Sequence, residues 1–200
     1  MRQNEDIDII SVCDEIINYS LAETIEKYNK GATVILESPV ESYCFANSTS
    51  VKFLTEHGYK GVYVSFQRPY DNICNFFKKQ YVDNNKVIIL DCVNISSLDF
   101  DKICKKISIS LKSIDCDKKF VLIDSLSTVA LYKKGSEIEG LAKKLIGIND
   151  NNLLVLFNVA DDLIKKQYVK NITSYADEVI NVLNCVENYD KDVVDPRILT

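Results

Sequence analysis

Six short runs of apolar, often β-branched residues, spaced by segments of helical period, constrain this chain more than any other feature. The runs are Ala32-Thr33-Val34-Ile35-Leu36, Gly61-Val62-Tyr63-Val64-Ser65-Phe66, Lys86-Val87-Ile88-Ile89-Leu90-Asp91, Phe120-Val121-Leu122-Ile123-Asp124, Leu153-Leu154-Val155-Leu156-Phe157 and Glu178-Val179-Ile180-Asn181-Val182-Leu183. Runs this short and continuous suit strands buried on both faces. The first helical segment covers residues 7–28, with Ile9, Val12, Cys13, Ile16, Ile17, Leu21 and Ile25 on one stripe. Further helices are expected from the end of the first strand to about Glu56, from Tyr70 to Gln80, and where Phe100, Ile103, Ile107, Leu111 and Ile114 share a face. Another begins near Ser136, where Ser136-Glu137-Ile138-Glu139 reads as a capping box. Strands alternating with helices need crossover connections, and those give a parallel sheet with helices on its faces. The expected fold is α/β, a three-layer α/β/α domain with a mostly parallel sheet of about six strands. It spans residues 1–187, and a charged tail, 188–200, follows.

Composition narrows the function classes. The hydrophobic fraction is 46% and the charged fraction 26%, which suits a soluble globular domain. The net charge of −5 opposes a generic phosphate-backbone binder, so nucleic acid is an unexpected partner. The Lys-Lys pairs are scattered among acidic residues, as on a solvated surface. Seven cysteines show no C-x-x-C pair and no metal-ligand spacing, so they read as small hydrophobes in a reducing, cytoplasmic setting. The acidic start does not resemble a secretory signal, and no apolar run is long enough for a membrane span. His57 is the only histidine. It sits beside Gly58 at a helix end, where terminal carbonyls are its expected partners, and no His-based metal site or Ser-His-Asp arrangement is available.

Ligands of parallel α/β sheets bind at the C-terminal ends of the strands. The first such end is Glu37-Ser38-Pro39-Val40-Glu41-Ser42-Tyr43-Cys44. A phosphate loop there would be glycine-rich, with a Lys at the helix start. No Gly occurs from Ala32 to His57, and the only Lys in that span is Lys52. Glu37 and Glu41 would repel phosphates. Ser38-Pro39-Val40-Glu41 reads as a capping box that closes the helix end on itself. The second strand ends in Gln67, a neutral amide unsuited to general base work, and reads as a turn residue capping the next helix. The fourth ends in Asp124-Ser125, the shape of a strand whose Asp holds Mg²⁺ through water. The fifth ends in Phe157-Asn158-Val159, where Asn158 could sense a ligand or close a turn.

Taken in order, four stretches make the chain resemble the RecA/KaiC-like P-loop ATPase superfamily. Ala32 to Glu37 looks like the strand before the phosphate loop, and Gly61 to Gln67 like the strand that ends in the catalytic Glu. Phe120 to Ser125 looks like the Walker B strand, and Tyr175 to Leu183 like the family's late strand. The departures are as informative. The Walker A signature is missing, Tyr43 or Cys44 stands near the Lys position, and Gln67 stands at the catalytic Glu position. Some archaeal KaiC-like proteins are reduced in this way, and the chain is similar to those.

The resemblance implies the fold and argues against the activity. The expected function is a non-catalytic KaiC/RecA-like domain, a pseudo-ATPase acting as a protein-interaction, assembly or regulatory module without a cofactor. Its partner is a protein or another copy of itself, since the family assembles side by side into dimers or rings. The alternative is a weak nucleotide or small-ligand binder that uses Asp124, Ser125, Gln67 and Asn158.

Overall fold

The computed structural model describes residues 9–40, 42–93, 99–148, 152–160 and 171–182. Helix α1 (Ile9–Lys27) leads into strand β1 (Gly31–Ser38). Helix α2 (Tyr43–Glu56), β2 (Lys60–Ser65), α3 (Tyr70–Lys79) and β3 (Val87–Asp91) follow. The remaining elements are α4 (Phe100–Ser113), β4 (Lys119–Asp124), α5 (Leu126–Tyr132), α6 (Gly135–Ile146), β5 (Leu153–Ala160) and β6 (Glu178–Asn181). The strands form one six-stranded sheet in the order β3-β2-β4-β5-β1-β6, and every described pairing is parallel. The expected three-layer α/β/α fold is observed.

Alternation along each strand sorts the core into two layers. Ile35, Val62, Val64, Val121, Ile123, Val155 and Phe157 face α4, α5 and α6. Val34, Leu36, Tyr63, Leu122, Leu154 and Leu156 face α1, α2 and α3. Two glycines let the central strands approach. Gly31 adopts a φ of 98°, and a Cβ there would lie 2.4 Å from the Leu153 carbonyl oxygen. A Cβ on Gly61 would meet the Phe120 carbonyl oxygen at 2.3 Å.

Three local expectations are corrected. Ser38 is not a helix cap: β1 runs on through it, paired to β5 as far as Ala160, and α2 starts only at Tyr43 with Ser42 at its N-cap. Pro39 therefore lies outside the helix, and Glu41 lies outside the described residues. The capping box expected at Ser136–Glu139 is displaced, because Glu137 reaches back to the backbone N–H of Lys134 at 3.0 Å and α6 starts at Gly135. Gln67 does not cap α3, whose N-cap is Pro69. The expectation for His57 stands. His57 caps α2, its Nδ1 2.8 Å from the Phe53 carbonyl oxygen. Of the cysteines expected to be small buried hydrophobes, Cys13 and Cys92 are buried, whereas Cys44, Cys74, Cys104 and Cys116 are only half-buried. Cys185 and the tail 188–200 lie outside the described residues. Among the described residues no helix is long and apolar enough to cross a membrane.

Candidate functional site

The register of the sheet sets the site. Ser65 pairs with Asp124, and Ile123 pairs with Phe157, so Asn158 lies in the next row beside Asp124. Asn158 also pairs with Leu36 of β1, two residues before Ser38. Ser65, Asp124, Asn158 and Ser38 all point to the α2 side of the sheet, following Tyr63, Leu122, Leu156 and Leu36. A row of polar side chains thus crosses the C-terminal mouth beneath the start of α2.

Asp124 is the centre of this row and is fully buried. Its Oδ1 accepts from Asn47 Nδ2 at 2.8 Å, and its Oδ2 accepts from the Tyr63 hydroxyl at 2.5 Å. The Arg68 guanidinium stands 4.0 Å from the same Oδ2. A turn aims Arg68 there: Ser65 Oγ accepts from Arg68 N at 3.1 Å and donates to its carbonyl at 2.8 Å. The Phe76 ring supports the guanidinium, 4.9 Å from its centroid. Burial pushes the Asp124 carboxyl above the usual carboxylate range, against the opposing pull of Tyr63, Arg68 and Asn47. Burial and the neighbouring Asp124 raise the Tyr63 phenol well above its ordinary value, so it stays protonated and donates.

A second set of contacts links α2, the β2–α3 turn and α5. The Tyr43 hydroxyl donates to Gln67 Oε1, and Gln67 Nε2 donates to Thr128 Oγ1. Gln67 therefore ties the first residue of α2 to α5. Ser125 caps α5, its Oγ accepting from Thr128 N at 3.3 Å. Ser127 Oγ accepts from Ala160 N at 2.8 Å and donates to the Ala160 carbonyl at 3.0 Å, which joins α5 to the end of β5. Cys44 is half-buried, and burial raises its thiol pKa against the pull of Tyr43 and Arg68.

The structure brings Asp124, Ser125, Gln67, Asn158, Tyr43 and Cys44 to one mouth. It separates Glu37, which lies on the opposite face of β1 and accepts from Asn181 Nδ2 at 2.8 Å. Sequence reasoning missed Asn47, Tyr63 and Thr128. Asn47 was findable as a polar residue four positions after Tyr43 on the buried stripe of α2. Tyr63 was findable as the one hydroxyl-bearing ring in an aliphatic strand, two residues before its mouth. Among the described residues, Asn158 Oδ1 and Nδ2, Ser38 Oγ, Asn47 Oδ1 and Arg68 Nε are buried without a hydrogen-bond partner. No group of three or more His, Cys, Asp or Glu side chains among those residues is placed to hold a metal ion.

No protein-family model and no curated protein matches the chain. Solved structures do. A KaiC-like protein, PH0186 of Pyrococcus horikoshii OT3, superposes with a TM-score of 0.55 at 21% identity, over 75% of this chain and 70% of that one. The flagellar accessory protein FlaH of Methanocaldococcus jannaschii gives a TM-score of 0.54 at 14% identity, over 78% and 75% of the two chains. This chain has the RecA/KaiC-like fold. An uncharacterised Pyrococcus horikoshii protein, PH0321, solved with an unknown peptide, superposes with a TM-score of 0.59 at 13% identity over 78% and 81%. On this RecA/KaiC-like frame, Tyr43 opens α2 and Asp124 ends β4.

Proposed function

We propose that this RecA/KaiC-like domain is non-catalytic and acts as a protein-interaction, assembly or regulatory module. The observation that carries the proposal is the internal pairing of Asp124 with Asn47, Tyr63 and Arg68. The fold family implies a magnesium nucleotide at this mouth, and the residues present do not suit one. The carboxylate that would hold the metal is fully buried and faces a guanidinium of this same chain. The residue that opens α2 is a phenol bonded to Gln67, not a Lys free to meet phosphate. The loop before it has no glycine to let backbone N–H groups wrap a phosphate. The peptide recorded with PH0321 is consistent with an interaction role for this fold. A phosphate-release assay with Mg-ATP tests the proposal: the expected rate is indistinguishable from buffer, and turnover abolished by Asp124→Asn would overturn it.

One observation favours a second reading, weak binding of a small ligand. Asn158 is buried with both amide atoms unpartnered among the described residues, in register beside Asp124. A buried amide without partners costs about 1–3 kcal/mol, which a ligand with both donors and acceptors would offset. Asn158→Leu would abolish such binding and otherwise leave the fold intact.

A further inference from the structure

Lysines that are spread along the sequence are gathered in space on one helix face. α4 contains four lysines and one aspartate, in a chain whose net charge is −5. Its inner face is set by Ile103, Ile107 and Leu111, all buried. Helical period then puts Lys102, Lys105, Ile109 and Lys112 on the opposite, outward stripe, with Lys106 on its flank, and all five are exposed. Nearby carboxylates do little to neutralise the stripe. Asp101 accepts from Lys144 of α6, so its charge is matched from outside the helix. Asp99 lies 3.7 Å from Lys102, whose side chain is 81% exposed, and water screens that pair. Among the described residues no ion pair engages Lys105, Lys106 or Lys112. Ile109 is the one apolar residue on the stripe and is 59% exposed. A β-branched side chain there gains nothing from packing and favours the helix less than Ala or Lys would.

We propose that the outward face of α4 docks an acidic helical segment of a partner protein, with Ile109 as its apolar anchor and Lys102, Lys105 and Lys112 as its charged rim. An apolar centre ringed by charge is the anatomy of a protein interface. The rim selects the sign of the partner and speeds its approach, and the anchor slows its departure. The spacing selects a helix. The stripe runs about 15 Å along the α4 axis from Lys102 to Lys112, and carboxylates three and four residues apart on a second helix repeat with the same step. A nucleic acid suits this face poorly. The stripe offers no Arg and no aromatic ring on which a base could stack, and the rest of the chain repels a long polyanion. A membrane suits it no better, because one apolar side chain gives too little area to enter the acyl boundary. This inference rests on the protein-interaction reading proposed above and gives that reading a surface and a partner chemistry.

The test is fluorescence anisotropy of the full chain against a synthetic helix that bears glutamates around one leucine on a single face. Saturable binding that weakens as salt rises is expected. Lys105→Glu combined with Lys112→Glu is expected to weaken it about tenfold or more, and Ile109→Ser about fivefold, as is replacing the leucine of the peptide by alanine. Lys79→Glu reverses an exposed charge at the end of α3 and is expected to change affinity less than about twofold. All the substituted positions are exposed, so the variants should melt with the wild type. Absence of saturation overturns the inference, and so does a double variant that binds as the wild type does. Tighter binding of a single-stranded oligonucleotide or an anionic vesicle at the same salt also overturns it. So does a mass that rises with concentration and falls in the double variant, because a second copy would then occupy the face. A phosphate-release assay on the same samples separates the two readings. A chain that binds the peptide yet turns over Mg-ATP sinks the non-catalytic reading alone, and an inert chain that ignores the peptide sinks this one alone.

Discussion

Arg68 holds its guanidinium 4.0 Å from the buried carboxylate of Asp124, at the C-terminal end of β4. The cation comes from the chain itself, delivered by the β2–α3 turn through Ser65. Removing one partner of a buried ion pair leaves the other uncompensated. Arg68→Met is therefore expected to lower stability by about 2 kcal/mol, measured by urea denaturation at neutral pH. Adding Asp124→Asn to it should recover most of the loss. Equal losses from the single and double variants would show that the pair does not interact.

The pH dependence of stability has a definite sign. The folded Asp124 carboxyl titrates above its ordinary 3.8 because burial dominates. The fold then binds protons more tightly than the unfolded chain, and stability falls as pH rises from near that value through the folded pKa. Against Asp124→Asn, which lacks this titration, the wild type should lose ground over that window. Parallel urea midpoints for the two proteins across pH would contradict it, as would a wild type that gains.

Two serines at strand ends should behave oppositely. Ser125 Oγ caps α5 through Thr128 N, so Ser125→Ala should cost about 1 kcal/mol. Ser38 Oγ is buried without a partner among the described residues and caps nothing. Ser38→Ala should lie within about 0.5 kcal/mol of the wild type or stabilise slightly. Thermal melts of both variants check this, and a larger loss from Ser38→Ala than from Ser125→Ala reverses the assignment.

Cys44 stands at the helix start but is not an activated thiol. Burial raises its pKa against the pull of Tyr43 and Arg68. Alkylation by iodoacetamide at neutral pH should be slower there than at a free thiol in an unfolded peptide, as mass spectrometry of the labelled chain would show. Preferential labelling of Cys44 would contradict the closed mouth.

The fold was readable because its strands are buried on both faces. A run such as Phe120-Val121-Leu122-Ile123 has no alternative use for four consecutive apolar side chains, and all four are buried in β4. The site was readable only in outline. Asp124 and Gln67 were found because a strand end is a local feature of the sequence. Asn47, Tyr63 and Thr128 come from three separate elements, and only the register of β2 against β4 and the seating of α2 bring them to Asp124 and Gln67. The expected Ser38 cap failed for a related reason. Pairing with β5 continues β1 through Ser38, and a tertiary ladder outweighs a local capping pattern.

The central claim is that the mouth is closed by the chain's own side chains, with Tyr43 on Gln67 and Arg68 on Asp124. Titration calorimetry with Mg-ATP tests it most directly. The account predicts no saturable heat up to about millimolar nucleotide, where binding would be worth only about −4 kcal/mol. A saturating isotherm in the micromolar range, lost on Asp124→Asn, would contradict it.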